Sequence, residues 1–154
     1  MAEIRTRIRP MKLSDLKVVV EIEKSSFPRP WSLNAFITQL THDSSICLIA
    51  EADGRTVGYI IATQYVDVWH LLDLAIHQDY RRQYIATDLL ETLFEICGRQ
   101  PHRGYTLEVR KSNRGAIKMY ESFGFICTGI RKGYYRDNGE DALIMWRDSE
   151  DMLA

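Results

Sequence analysis

The segment YTLEVR places an acidic side chain in the middle of an apolar strand pattern. Leu107 and Val109 share one face of the predicted strand, whereas Glu108 lies on the other face with Arg110. A carboxylate in a central strand can act as a general base when it faces a cleft. The alternative is an ion pair of Glu108 with Arg110 or another neighbour on an exposed face.

A second candidate for proton transfer, Tyr120, lies in the segment AIKMYESFGF. Helical spacing places Tyr120 on one face with Ala116 and Ile117, which is also the pattern of a core aromatic whose hydroxyl lies at the edge of the core. A phenol has a pKa of about 10 and a thiol a pKa of about 8.5. A tyrosine can therefore donate a proton to a thiolate, although this transfer is weakly driven.

The stretch DYRRQYIATDLLETLFE, residues 79–95, predicts a site for a phosphate group. Its first residues are polar and basic, and its later apolar residues recur at helical spacing. The first backbone N–H groups of a helix have no intrahelical partner and carry partial positive charge, so they can bind phosphate oxygens. The alternative is that Arg81 and Arg82 are a solvated charge pair before an ordinary helix. The candidate phosphate-binding residues are Arg82, Gln83, Tyr84, Ile85, Ala86 and Thr87.

The composition is that of one ordinary globular domain, and it argues against several classes of function. With 45% hydrophobic and 27% charged residues, residues 1–154 are expected to form a single domain with a sizeable core. The net charge of −1 predicts no general affinity for nucleic acid or membrane surfaces. Three cysteines without a CxxC pair or clustered histidines argue against disulfides and a metal site, and favour a cytoplasmic location.

The predicted elements follow the order β-α-α-β-β-β-α-β-α-β-β. Residues 4–9 alternate like a strand, two helical segments follow, and Asp53 and Gly54 separate two strand-like runs as in a hairpin. The strand HLLDLAI, a helix and the strand YTLEVR predict a parallel pair with a right-handed crossover. The next helix is expected to end at Gly124, before two strands joined by residues 136–141. We therefore predict an α/β fold with a mixed central sheet.

Three motifs in register resemble the GNAT superfamily of acetyl-coenzyme A-dependent N-acetyltransferases. They are DLAIHQDYRRQYIATDLLETLF, LEVRKSNRGAIKMYESFGF and GYYRDNGEDALIM, and the resemblance covers residues 4–145. More closely, the chain looks like protein N-terminal acetyltransferases, namely the bacterial ribosomal-protein-alanine enzymes and their archaeal broad-specificity relatives. The resemblance implies the GNAT fold, with the parallel strand pair splayed around the cofactor. It also implies acetyl-coenzyme A as cosubstrate, without a metal.

In this family the phosphate loop is written Arg/Gln-x-x-Gly-x-Gly/Ala, and its amides hold the coenzyme A pyrophosphate. The resemblance places the basic residue of the motif at Arg81 and its last small residue at Ala86, whereas Tyr84 replaces the first glycine. Glycine is used where φ is positive or where the backbone approaches a ligand closely. We therefore expect Tyr84 to take a negative φ with its ring turned outward, so that its amide still faces the pyrophosphate.

The resemblance also implies roles for single residues. Glu108 is the general base, usually acting through water, and Tyr120 is the proton donor beside the thioester sulfur. His70 resembles an auxiliary base of archaeal members, although a histidine at a strand end is more often structural. Asn113 matches a coenzyme-contacting asparagine, and it suits a helix N-cap equally well. In the family the acetyl group and pantetheine arm contact the backbone of the segment that matches Leu74, Ala75 and Ile76.

The expected acetyl acceptor is the α-amino group of a protein N-terminus. An α-amine has a pKa of about 8 and a lysine amine one of about 10.4, so the α-amine is more often neutral and better matches a single modest base. The resemblance places peptide-binding segments at SSFPRPW and GYYRDNGED. The candidate pocket walls are Phe27, Pro28, Tyr134 and Tyr135, which are otherwise a helix-end contact and strand aromatics.

The expected partners are protein or peptide N-termini, with ribosomal proteins as candidates, and the sequence leaves an auxiliary subunit or a homodimer open. Two alternative functions remain. One is a GNAT enzyme acting on another amine, such as a polyamine or a protein lysine, and a deep acidic pocket would favour the polyamine. The other is a non-catalytic domain that binds acyl-coenzyme A, and Tyr84 alone supports it.

Overall fold

The computed structural model describes residues 6–82 and 84–150. Within these residues the order of helices and strands is the predicted one. The helices are α1 (Leu16–Ser26), α2 (Leu33–Leu40), α3 (Ile85–Cys97) and α4 (Arg114–Ser122). The strands are β1 (Thr6–Pro10), β2 (Ser45–Ala52), β3 (Arg55–Tyr65), β4 (Val68–Ile76), β5 (Gly104–Arg110), β6 (Ile126–Tyr135) and β7 (Glu140–Asp148). The first strand was predicted over residues 4–9, of which residues 4 and 5 lie outside the described part.

All seven strands belong to one mixed sheet in the order β1-β2-β3-β4-β5-β7-β6. The pairs β1–β2, β2–β3, β5–β7 and β6–β7 are antiparallel. The parallel pair is β4 with β5, where Val68 is opposite Gly104 and His70 is opposite Thr106. A parallel pair requires a crossover connection, and α3 lies between these two strands in the chain. The predicted mixed α/β sheet is confirmed.

The described residues divide into two compact units. The first extends through Thr63 and resumes over Leu72–Cys97, and the second comprises Gln64–Leu71 and the part from Gly98 onward. The phosphate segment therefore belongs to the first unit, whereas Glu108 and Tyr120 belong to the second. None of the helices in residues 6–82 and 84–150 has the length and apolar character needed to cross a bilayer.

In the first unit, α1 and α2 share an apolar core with β2 and β3. Val19 and Ile22 lie three residues apart on α1 and are fully buried, as expected for the inner face of a helix. Phe36 of α2 meets the ring of Tyr59 edge to face, with 5.8 Å between the ring centroids. Phe27, at the end of α1, packs against this core. The core thus fixes the point where the candidate peptide-binding segment begins.

In the second unit, β5 shows the alternation that the sequence predicts. Leu107 and Val109 are buried and Glu108 is exposed. Helix α4 is followed by Gly124, whose φ of +90° lies in the left-handed region that glycine adopts without strain. The predicted helix stop is therefore confirmed. This stop directs the chain from α4 into β6.

Candidate active site

The phosphate segment leads from the end of β4 into α3. The backbone N–H of Asp88 donates to the carbonyl of Tyr84 at 3.0 Å, which places Tyr84 immediately before the first helical turn. The N–H groups of Ile85, Ala86 and Thr87 then belong to the first turn, where backbone donors have no intrahelical acceptor. Partial positive charge accumulates at the same point. The helix start that a phosphate site requires is present, while Gln83 lies outside the described residues.

The prediction of a negative φ at Tyr84 is wrong. Tyr84 and Arg82 both have a φ of +63°, in the left-handed region that favours glycine. Tyr84 therefore keeps the kind of conformation that a glycine adopts easily, at a cost of about 1–2 kcal/mol for a residue with a Cβ. Its side chain is 79% exposed, so the ring points outward as expected. The turn into α3 overrides the steric preference of the residue.

Arg81 has a structural role beside this loop. Its Nε donates to the carbonyl of Ile76 at 3.0 Å, and its Nη2 donates to the hydroxyl of Ser26 at 3.3 Å. The N–H of His77 donates to the carbonyl of Val57 at 2.7 Å. These bonds fix the end of β4. Arg81, at the basic position of the motif, thus holds the backbone from which the loop departs.

Gly58 allows β3 to approach the end of β4 closely. A Cβ at this position would lie 2.6 Å from Cδ1 of Ile76 and 3.1 Å from the carbonyl oxygen of Ala75. Ala75 is buried, and Leu74 and Ile76 are half-buried. The segment expected to contact the acetyl group is therefore tightly packed. A lone glycine inside a strand pattern was the available signal for this close approach.

Glu108 projects from β5 as an accessible carboxylate. Its side chain is 32% exposed, and Oε1 lies 3.9 Å from Nη1 of Arg131. Because Arg131 is itself 55% exposed, this ion pair is weak. The arrangement therefore leaves the carboxylate able to accept a proton from a bound molecule.

Arg110 organises the loop between β6 and β7 instead of pairing with Glu108. Its Nη2 donates to Oδ2 of Asp137 at 3.0 Å, and its Nη1 lies 3.4 Å from Oε1 of Glu140. Its guanidinium carbon lies 4.0 Å from the ring centroid of Tyr135, a cation–π contact. The suggested Glu108–Arg110 ion pair is therefore wrong, whereas the alternative of an ion pair with another neighbour is met by Arg131. Sequence reasoning missed this role, although an arginine ending a strand and the acidic loop RDNGED were visible signals.

Tyr120 and Asn113 lie on and beside α4. Tyr120 is half-buried, and its ring packs edge to face on Phe125 with 5.5 Å between centroids. Oδ1 of Asn113 accepts a hydrogen bond from the N–H of Ala116 at 3.2 Å. The N-cap role of Asn113 is confirmed. The proton-donor role of Tyr120 and the coenzyme contact of Asn113 stay predictions.

His70 is half-buried on β4, opposite Thr106 of β5. It lies in a surface depression of about 400 Å³ within the second unit. The other lining residues are Tyr65, Val66, Asp67, Val68, Arg103, Thr106 and Trp146. This depression gives the imidazole access to solvent, and its role as an auxiliary base stays a prediction.

The four expected pocket-wall residues are divided between the units. Pro28 is exposed and Phe27 packs on the core of the first unit. In the second unit, the rings of Tyr134 and Tyr135 meet edge to face at 5.1 Å. Burial raises the pKa of Tyr135, so its phenol keeps its proton at neutral pH. A pocket for the first residue of a peptide stays a prediction.

Sequence reasoning missed a pair of acids in the first unit, one buried and one half-buried. Glu23 of α1 is 1% exposed, and Asp73 of β4 lies against it with a fully buried Oδ2. Oε1 of Glu23 accepts a hydrogen bond from the hydroxyl of Tyr59 at 2.7 Å, and Oε2 accepts one from the N–H of Trp31 at 2.9 Å. An aspartate inside the apolar strand HLLDLAI was the signal that pointed to an unusual site.

Comparisons with known proteins identify the family of this chain. A model of the acetyltransferase (GNAT) family matches residues 16–125. A Bacillus subtilis protein provisionally named ribosomal protein bS18-alanine N-acetyltransferase is 40% identical over 143 residues, covering 92% of this chain and 95% of that protein. An N-alpha-acetyltransferase of Sulfurisphaera tokodaii is 30% identical, with 90% of each chain covered.

A solved structure shows the same fold. The crystal structure of the ribosomal-protein-S18-alanine N-acetyltransferase from Escherichia coli matches with a TM-score of 0.87 and 31% identity, covering 94% of each chain. The family match spans well over half of the sequence, and it includes α3, β5 and α4. This chain therefore belongs to the acetyltransferase (GNAT) family.

Proposed function

We propose that the protein transfers the acetyl group of acetyl-coenzyme A to the α-amino group of protein N-termini. The observation that carries this proposal is the accessible carboxylate of Glu108 on β5, a strand inside the family match. The names of the Bacillus, Escherichia and Sulfurisphaera relatives point to the same class of acceptor. Ribosomal proteins are accordingly candidate substrates, and the cytoplasm is the proposed location.

The first unit has a start of α3 that suits the pyrophosphate of the cosubstrate. The amides of Ile85, Ala86 and Thr87 lie at the positive end of a helix, and backbone donors of this kind bind phosphate without side chains. The 79% exposure of Tyr84 supports a ring that extends into solvent rather than over these amides. This geometry gives no support to the non-catalytic alternative, which depended on Tyr84 as an obstruction.

In the proposed reaction, Glu108 accepts a proton from the substrate amine directly or through water. The neutral nitrogen attacks the thioester carbonyl carbon and forms a C–N bond. The nitrogen then loses its surplus proton to solvent water, and the C–S bond breaks. Backbone N–H groups in the segment Leu74, Ala75 and Ile76 are the proposed donors to the carbonyl oxygen as negative charge develops. Tyr120 donates a proton to the departing thiolate. No covalent enzyme intermediate is needed.

The test is acetylation of a peptide library that varies the first two residues, with detection of released coenzyme A. We expect turnover with free N-termini, alanine-initiated peptides included, and none with the same peptides blocked at the α-amine. A blocked peptide with an internal lysine and a polyamine serve as competing acceptors. Turnover confined to either of these would reject the N-terminal proposal, and coenzyme binding without any turnover would favour the non-catalytic alternative.

A further inference from the structure

Glu23 of α1 binds the segment that follows this helix, through the backbone N–H of Trp31. Its two carboxylate oxygens each accept one hydrogen bond, from Tyr59 at 2.7 Å and from the Trp31 backbone at 2.9 Å. Trp31 lies eight residues further along the chain, at the end of SSFPRPW. Phe27 and Trp31 also pack on the core, and Glu23 adds to this packing a hydrogen-bond acceptor that is almost fully buried.

A buried carboxylate requires compensation, and Asp73 is the group placed to supply it. No cation among residues 6–82 and 84–150 forms an ion pair with Glu23 or Asp73. Two adjacent carboxylates without a cation cannot both stay ionised in a buried site. Burial, and then the hydrogen bond and charge of Glu23, raise the pKa of Asp73 to about 9. Asp73 consequently carries a proton at neutral pH.

The groups that face Asp73 come from three strands and helices. Glu23 is on α1, Tyr59 is on β3, and the backbone N–H of Leu74 on β4 has a smaller, opposing influence on the Asp73 carboxyl. Burial raises the pKa of Tyr59 far above its ordinary value, so its hydroxyl remains a donor. Glu23 is thus the one acceptor shared by a phenol, a backbone amide and a carboxylic acid.

We propose that Asp73 is a positioning residue that donates a hydrogen bond to Glu23 as a neutral acid and thereby holds Trp31 and the segment SSFPRPW. The proposal rests on the proposed function, because this segment is the one assigned to the peptide N-terminus. The Asp73 hydrogen bond gives the buried Glu23 carboxyl a third donor, beside the Tyr59 hydroxyl and the Trp31 backbone N–H. Ionisation of Asp73 would replace this attraction with repulsion between two carboxylates.

Two substitutions in the full-length chain separate donation from mere packing. Asp73→Asn keeps a donor and the shape of the protonated acid, whereas Asp73→Leu has a similar branched outline, a larger volume and no donor. We expect peptide KM to rise about tenfold in Asp73→Leu, the size of effect expected for losing a hydrogen bond to a charged group. In Asp73→Asn we expect it to stay within about threefold, with coenzyme KM little changed in both. Asp43→Asn, on an exposed turn, is the matched control.

Amide hydrogen exchange of Trp31 gives a readout that does not depend on activity. We expect slow exchange in the native chain and in Asp73→Asn, and faster exchange in Asp73→Leu. An infrared band of a protonated carboxyl at pH 7 should be present in the native chain and absent from Asp73→Asn. If Asp73→Leu does not fold, the infrared band and the exchange in Asp73→Asn still decide the matter.

Three results would overturn the proposal: no protonated-carboxyl band in the native chain, fast Trp31 exchange in Asp73→Asn, or unchanged exchange in a folded Asp73→Leu. Failure of the proposed function looks different. In that case no peptide would be acetylated, while the band and the exchange pattern would still show whether Asp73 holds Glu23 and Trp31.

Discussion

Glu108 and the Glu23–Asp73 pair contain the same chemical group in opposite environments. The side chain of Glu108 is about one-third exposed and lies 3.9 Å from a weakly held arginine. Asp73 lies against another acid, and its Oδ2 is buried without a hydrogen-bond partner. The first arrangement suits exchange of a proton with a bound molecule, and the second suits keeping one. Environment, rather than residue type, assigns the two roles.

The two regions also differ in what holds their neighbouring loops. In the first unit, an acid accepts the backbone N–H of Trp31 from inside the core. In the second unit, a cation holds the side chains of Asp137 and Glu140 from a strand end. A buried carboxylate acceptor depends on a proton nearby, whereas guanidinium groups in proteins stay charged across the accessible pH range. The first loop is therefore expected to be sensitive to pH, and the second is not.

The largest effect should come from Glu108→Gln. The amide keeps the shape of the side chain but cannot accept the proton, so kcat/KM should fall by about 10²-fold or more with coenzyme affinity nearly unchanged. Steady-state kinetics and a coenzyme A titration measure both quantities. Glu121→Gln, on the exposed side of α4, is the matched control. If kcat/KM of Glu108→Gln stays within about twofold of the native value, Glu108 is not the principal base. His70 would then become the next candidate base.

The second prediction concerns the pH dependence of stability. Between its ordinary pKa of 3.8 and the value of about 9 in the folded chain, Asp73 is protonated only when folded. Its contribution therefore makes the free energy of unfolding decrease as the pH rises, by up to about 1.4 kcal/mol per pH unit. Asp73→Asn should remove this contribution, so that the free energy of unfolding depends less steeply on pH. Urea unfolding at several pH values measures it.

If the free energy of unfolding depends on pH equally in the native chain and in Asp73→Asn, then Asp73 has the same pKa in the folded and unfolded chains. Asp43→Asn should reproduce the native curve, since Asp43 lies on an exposed turn. Groups other than Asp73 and its partner Glu23 contribute equally to all three curves, so the difference between them reports on this acid pair.

Tyr120→Phe should lower kcat about tenfold, with a smaller effect on peptide KM. The ring and its contact with Phe125 remain, so the substitution removes only the hydroxyl. A moderate loss is expected because proton transfer from a phenol to a thiolate is weakly driven. Single-turnover kinetics isolate the acetyl-transfer step. An unchanged kcat would assign Tyr120 to packing alone.

Arg110→Met should raise peptide KM about fivefold, since the loop over residues 136–139 loses its ion pairs and its cation–π contact. The effect of Arg110→Lys should be nearly as large, because an ammonium group does not reproduce the guanidinium fork. Lys118→Met, on the exposed face of α4, is the control. An equal rise in coenzyme KM would show general disruption of the second unit rather than of this loop.

Local patterns predicted the order of strands and helices because burial on one face produces a period that is visible in the sequence. The same alternation placed Glu108 opposite the buried Leu107 and Val109. The acid pair could not be derived in this way, since the bond from Tyr59 to Glu23 joins positions 36 residues apart. The role of Arg110 could not be derived either, because its partners lie on a later hairpin.

The smallest effect is expected at Tyr84, where the sequence-based prediction of φ was wrong. Tyr84→Gly relieves the left-handed strain of about 1–2 kcal/mol but adds flexibility to the unfolded chain, which costs about 0.4–1 kcal/mol. The free energy of unfolding should therefore change by about 1 kcal/mol or less. Tyr84→Val, which puts a β-branched residue at a φ of +63°, should be clearly less stable than the native chain and Tyr84→Gly.

Coenzyme A binding should be unchanged in Tyr84→Gly, because the proposed donors are backbone amides at the start of α3 and the tyrosine ring points into solvent. Calorimetric titration of the native chain and the Gly and Val variants tests this directly. Binding that appears only in Tyr84→Gly would mean that the ring covers the amides in solution, and the non-catalytic alternative would regain its support. Equal binding by the native and Gly chains would show that the left-handed backbone, rather than the absence of a side chain, is what this position contributes to the phosphate loop.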